Sequence, residues 1–124
     1  MRGRVVASIM LGVIALAAQA QESRLDAIQK SGAPRVCTPG DYKPFSLAKA
    51  DGSYEGLDVD LAQAMAKALG VEAKFVKTSW PKLMDDFIDK CDIGVGGISV
   101  TLDRQKRAFF TEAYMVNGKA PITK

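Results

Sequence analysis

Arg104 follows Ser99 by five residues and Thr101 by three, in the run Gly96-Gly-Ile-Ser99-Val-Thr101-Leu-Asp-Arg104. A guanidinium can hold a carboxylate through two parallel, charge-assisted hydrogen bonds, and hydroxyls and glycine-exposed backbone N–H groups add further donors. Two other segments carry aromatic faces: Tyr42 and Phe45 in the stretch Pro39–Phe45, and Trp80 beside Ser79 in Thr78–Trp80. Rings of this kind suit the apolar part of a small organic acid. Taken singly, Phe45 and Trp80 also fit a core, Gly96-Gly97 a tight turn and Arg104 a solvated helix charge. The set becomes a candidate site only if the fold brings the three segments together.

Other chemistries are poorly served. The chain has no histidine, which excludes Ser-His-Asp and Cys-His nucleophile arrangements and makes a zinc site from Cys37 and Cys91 improbable. No Walker-type or dinucleotide-type glycine pattern follows a strand, so neither cofactor nor metal is expected. Asp58 and Asp60 read as acids favoured by the dipole at a helix start, and Asp85, Asp86 and Asp89 as a solvated helix face.

The elements that must position these residues can be read in order. Ser23-Arg-Leu-Asp26 has the form of a capping box, Leu25 and Ile28 give a short apolar face and Gly32 ends a helix over 23–31. Arg35–Thr38 is a strand stopped by Pro39-Gly40-Asp41. Residues 45–47 and 53–55 form a hairpin about Asp51-Gly52. Leu57, Leu61, Met65 and Leu69 recur at helical spacing and predict the core face of a second helix closed by Gly70. A strand over 71–77 leads to Pro81 in the first turn of a third helix, with Leu83, Met84, Phe87 and Ile88 facing inward. Asp92–Val95 is a short buried strand broken by Gly96-Gly97, and Thr101 caps a short helix carrying Arg104, Lys106 and Arg107. Residues 109–110, 114 and 120–123 regain extended character.

Strands alternating with helices imply an α/β fold with a mostly parallel sheet and flanking helices, and such sheets bind ligands beyond the carboxyl ends of their strands. That rule selects Pro39–Phe45, Thr78–Trp80 and Gly96–Arg104. Ligand-facing roles therefore fall to Tyr42, Phe45, Trp80, Gly97, Ser99 and Arg104.

At the N-terminus, Met1-Arg2-Gly3-Arg4 precedes an apolar run, Val5 to Ala18, and the small-residue site Ala18-Gln19-Ala20. This is the pattern of a secretory signal peptide over residues 1–20, and the run is shorter than the roughly 20 residues that span a bilayer. Cleavage after Ala20 removes Arg2 and Arg4, leaving 15 cationic against 14 acidic residues in place of the 17 and 14 of the whole 124-residue chain. A near-neutral exported domain points away from nucleic acid and, after cleavage, from a membrane partner. Export would permit a disulfide, yet Cys37 late in one strand and Cys91 just before another are expected at opposite ends of parallel strands. Four strand residues span about 13 Å, whereas bridged Cα atoms lie within about 7 Å. Two free, mostly buried thiols are therefore expected.

Four ordered motifs resemble one family. They are Val36-Cys-Thr38-Pro-Gly-Asp-Tyr-Lys-Pro-Phe45, Tyr54-Glu-Gly-Leu-Asp-Val-Asp60-Leu-Ala, Gly96-Gly-Ile-Ser-Val-Thr101-Leu-Asp-Arg104-Gln, and Ala113-Tyr114 with Gly118-Lys119. Together they closely resemble the N-terminal half of periplasmic solute-binding proteins of the amino-acid type, solute-binding protein family 3, over about residues 22–124. Within it, Gln21-Glu-Ser-Arg-Leu-Asp26, Gly40-Asp-Tyr-Lys-Pro-Phe45-Ser, Thr78-Ser-Trp-Pro-Lys-Leu-Met84 and Gly118-Lys-Ala-Pro-Ile-Thr123 look most like the cyclohexadienyl dehydratase branch. Members of that branch convert prephenate to phenylpyruvate and arogenate to phenylalanine.

The resemblance implies a periplasmic protein whose ligand is a small carboxylate, closed between two α/β lobes joined by hinge strands. It implies that Arg104 binds the ligand carboxylate with Ser99 and the Gly97 backbone as neighbours, and that Trp80, Tyr42 and Phe45 are pocket walls. Residues 21–117 correspond to an incomplete first lobe and 118–124 to the start of a hinge strand, so the chain reads as truncated before the second lobe. The general acid of such a lyase is expected on that second lobe, and no catalytic residue is assigned here. The alternative is a binding protein that delivers an amino acid to an ABC permease. Amino-acid binders often carry an acid where Pro39 stands, which weakens that alternative. A sensor input domain is a third, weaker reading.

Overall fold

The computed structural model describes residues 22–116, 118 and 122. The signal-peptide segment and most of the expected hinge strand lie outside the described residues. Helix α1 spans Arg24–Ser31; Ser23 accepts from the Asp26 N–H while the Asp26 carboxylate accepts from the Ser23 N–H, and Gly32 closes the helix at φ 75°. The capping box read from sequence is thus formed.

Strand β1, Arg35–Thr38, follows, then β2, Asp41–Tyr42, β3, Ser46–Ala48, and β4, Tyr54–Glu55. Helix α2 runs Leu57–Ala68, β5 Lys74–Lys77, α3 Leu83–Lys90, β6 Ile93–Gly94 and α4 Leu102–Gln105, with a 3₁₀ turn at Trp80–Lys82 leading into α3. β5, β1 and β6 form a parallel sheet in that order, with Val36 opposite Phe75 on one side and Ile93 on the other. β2, β3 and β4 form a separate antiparallel sheet. The parallel α/β reading holds; β2 is an added strand where the sequence suggested a loop. Residues 109–113 carry no regular structure.

The connection from β5 to β6 passes over the central β1, and α3 packs on β1 as it does so. Cys91 is the residue that ends α3, and its Cα lies 5.7 Å from that of Cys37, to which it is disulfide-bonded. The expectation of two free thiols is therefore corrected. The distance argument measured along strands in the plane of the sheet, whereas Cys91 belongs to the helix layer stacked on the face of β1 that Cys37 presents.

The core face expected for α2 is also corrected. Leu57, Leu61, Met65 and Leu69 are all exposed, while Val59, Ala62 and Ala66 are buried where α2 packs near β3 and β4. The helix carries two apolar stripes, and the one with small residues allows the closer approach to the strands. On α3, Leu83 is buried but Ile88 is exposed.

The start of β1 is fixed electrostatically. Asp92 accepts from the Arg35 backbone N–H at 2.8 Å and from its guanidinium at 2.9 and 3.1 Å, and Arg24 of α1 adds a further donor at 3.1 Å. These bonds hold the Asp92 carboxyl below the usual carboxylate range against the opposing effect of burial.

Candidate functional site

Because β1, β5 and β6 are parallel, the segments after Thr38, Lys77 and Gly94 emerge at one edge of the sheet. The three segments selected from sequence meet there. The Tyr42 ring lies 5.4 Å from that of Phe45 and meets Trp80 edge-on at 5.9 Å. The indole is held by a 2.9 Å hydrogen bond that its Nε1–H donates to Asp41. Thr101 caps α4 by accepting from the Arg104 N–H, and the Arg104 guanidinium lies 5.8 Å from the Trp80 ring centroid. One Arg104 Nη1 hydrogen is donated to the Ser99 carbonyl at 2.9 Å.

Tyr42, Trp80, Ser99 and Arg104 thus surround one partly open surface, with the guanidinium half-buried rather than free in solvent. Such a surface can take a carboxylate at the guanidinium and a flat apolar group against the rings. Phe45 is only 6% exposed, so it supports Tyr42 from beneath more than it presents its own face.

Gly97 needs a correction. Its N–H, expected to be open to a ligand, is donated to the Asp58 carboxylate at 2.6 Å, and the Gly96 N–H goes to the same oxygen at 2.8 Å. What Gly97 contributes is closeness. A Cβ there would stand 2.7 Å from both Tyr42 and Phe45, and its φ of 69° is one that side-chain-bearing residues rarely adopt.

Two residues escaped the sequence reading. Asp41 opens β2 and gives no signal in sequence of its partnership with Trp80. Asp58 did give one: it shares the i, i+4, i+8 stripe with Ala62 and Ala66, the stripe that turns inward. Asp86 is likewise more than a solvated charge, since it accepts from the Thr78 hydroxyl at 2.6 Å and from Lys90 at 2.7 Å. Those bonds, Lys90 foremost, lower its pKa.

A groove of about 330 Å³ runs beside the β6 edge and adjoins this surface, sharing Phe45, Gly97 and Ser99 with it and lined further by Leu61, Met65, Phe87, Ile93 and Phe109. It is mostly apolar and does not include Arg104 or Trp80. Among the described residues no cluster of Cys, Asp or Glu could hold a metal ion.

Residues 35–124 match the bacterial extracellular solute-binding proteins, family 3. The chain belongs to that family. Among family 3 relatives, the cyclohexadienyl dehydratase of Pseudomonas aeruginosa is 55% identical over 106 residues, which is 85% of this chain and 40% of that protein. The L-cystine-binding protein TcyJ of Escherichia coli K12 is 29% identical over 97% of this chain and 46% of its own length. In solved structures, an ancestral cyclohexadienyl dehydratase is 54% identical with a TM-score of 0.71, covering 75% of this chain and 39% of that one. The arginine-bound form of domain 1 from TmArgBP, of T. maritima, is 34% identical with a TM-score of 0.61, covering 65% of each chain. The fold is therefore periplasmic-binding-protein-like, and this family 3 chain spans less than half the length of these two curated relatives.

Proposed function

We propose that this chain is the N-terminal, substrate-gripping part of an exported cyclohexadienyl dehydratase that converts prephenate to phenylpyruvate and arogenate to phenylalanine. The observation that carries this reading is the 55% identity to the Pseudomonas aeruginosa enzyme, against 29% to the cystine-binding protein. The cluster of Arg104, Trp80 and Tyr42 supports it chemically.

With prephenate, a ring carboxylate leaves as carbon dioxide, the ring C–O bond breaks, and one proton converts the departing hydroxide to water as the ring becomes aromatic. The side-chain carboxylate is retained throughout. Arg104 holds that group, with the exposed Ser99 hydroxyl as a neighbour, while Tyr42 and Trp80 flank the ring that turns aromatic. The proton must come from a general acid, and none of the residues gathered at this edge is assigned that task. The chain alone is accordingly expected to release no phenylpyruvate.

Residues 21–124 grafted in place of the matching portion of the Pseudomonas enzyme provide the test. Phenylpyruvate absorbance appearing on addition of prephenate supports the lyase reading. Tight binding of an amino acid without turnover would replace it with the second reading, an amino-acid receptor for an ABC permease. That reading draws on the cystine-binding relative and on the arginine held by the TmArgBP domain. Export to the periplasm is part of the proposal, supported by the N-terminal pattern and by a family described as extracellular.

A further inference from the structure

Asp58 is 1% exposed, yet it carries a carboxylate. Among the described residues no Lys or Arg forms an ion pair with it. What compensates its burial is three hydrogen bonds. One oxygen accepts from the N–H groups of Gly96 and Gly97, and the other accepts from the Tyr114 hydroxyl at 2.6 Å. Its place at the second residue of α2 adds the favourable end of the helix dipole. A buried charge held only by neutral donors is a costly device, and it fixes whatever supplies those donors.

Here two of the three donors are the residues that launch the Ser99–Arg104 run. The Gly96-Gly97 turn is gripped from one side by Asp58. Tyr42 and Phe45 press on the Gly97 position, and the Thr38 and Ser46 side chains on the Gly96 position. Two residues beyond Gly97 stands Ser99, whose carbonyl takes the Arg104 guanidinium.

We propose that Asp58 is a positioning residue for the ligand surface: through the Gly96-Gly97 turn it sets where Arg104 and Tyr42 stand, and through Tyr114 it ties the segment beyond α4 to the same turn. It touches no ligand. This rests on the reading that Arg104 holds a ligand carboxylate, and the test separates the two claims.

The full 124-residue chain carries a single tryptophan, Trp80, whose fluorescence reports on the site. Prephenate and L-arginine are titrated as probes against wild type, Asp58→Ala, Asp58→Asn and Asp58→Glu, and exchange of the Gly96 and Gly97 amide protons is followed by NMR. In Asp58→Ala both amides should exchange at least tenfold faster, and whichever probe binds wild type should bind about tenfold or more weakly, the loss expected when charge-assisted contacts are removed. Asp58→Asn should recover affinity to within about threefold, because its carboxamide oxygen can accept both amides while its Nδ2 donates to the Tyr114 oxygen. Asp58→Glu keeps the charge but displaces the turn, and should weaken binding as Ala does; it decides the matter if the Ala variant fails to fold. Wild-type affinity and wild-type amide exchange in a folded Ala or Glu variant would overturn the proposal. Binding of neither probe by wild type would count against the ligand reading alone, leaving amide exchange to decide whether Asp58 holds the turn.

Discussion

The Arg104 guanidinium stands over the indole of Trp80, 5.8 Å from the ring centroid, and the indole N–H is in turn tethered to Asp41. A cation–π contact at a half-exposed site contributes about 0.5–1 kcal/mol. Its larger effect is orientation. A planar cation held over a ring, with one Nη hydrogen spent on Ser99, keeps its remaining donors for a carboxylate.

Replacing Arg104 by Lys keeps the charge and removes the planar fork. Affinity for a carboxylate ligand should fall by about 10- to 100-fold, corresponding to charge-assisted hydrogen bonds lost. Calorimetric titration of the folded variant checks this, and an affinity within twofold of wild type would remove Arg104 from the ligand-gripping role.

Reducing the Cys37–Cys91 bond releases a crosslink across a sequence separation of 54 residues. Loop-closure entropy for that span gives a loss of about 4 kcal/mol. Urea denaturation with and without reductant measures it directly. The native chain should also resist thiol alkylation, even when unfolded, until the bond is reduced.

Stability should fall on the acid side, with Asp92 a principal cause. Hydrogen bonding to Arg35 depresses the Asp92 pKa in the folded state, so its stabilising contribution is fully present above the unfolded value of about 4 and is lost as pH drops through the folded value. Asp92→Asn should cost about 1–3 kcal/mol at neutral pH and flatten the acid limb of the stability curve. An unchanged acid limb in that variant, by denaturant titration across pH, would show that other carboxylates govern it.

Substituting Gly97 by Ala should displace Tyr42. The new Cβ would fall at 2.7–2.8 Å from ring atoms of Tyr42 and 2.7 Å from Phe45. The expected cost is about 1–3 kcal/mol of stability, with a shift in Trp80 emission as its edge-on partner moves. Emission and stability both equal to wild type would mean that the aromatic loop yields freely.

Much of this arrangement was legible because local chemistry and global fold agree. The capping box at Ser23 and Asp26, the parallel strands and the Thr101 cap all follow from short-range rules, and the sheet-edge rule then gathers Tyr42, Trp80 and Arg104. Where reading failed, two answers were available locally and packing chose between them. Helix α2 has a large-residue stripe and a small-residue stripe, and only three-dimensional approach to the hairpin selects the second. Asp58 satisfies a helix-start rule without needing any partner, which hid its bonds to the glycine turn. Cys91 reads as the residue just before a strand, which places it at the strand's end, although it closes helix α3.

The cystine has a consequence for how a ligand meets this surface. Cys37 immediately precedes the end of β1, from which the Tyr42 loop departs, and Cys91 terminates the helix whose entry turn holds Trp80. The two aromatic supports are therefore parts of one covalently closed circuit. An arriving molecule finds that wall already assembled and has less disorder to remove from it, so more of the contact energy remains as net affinity.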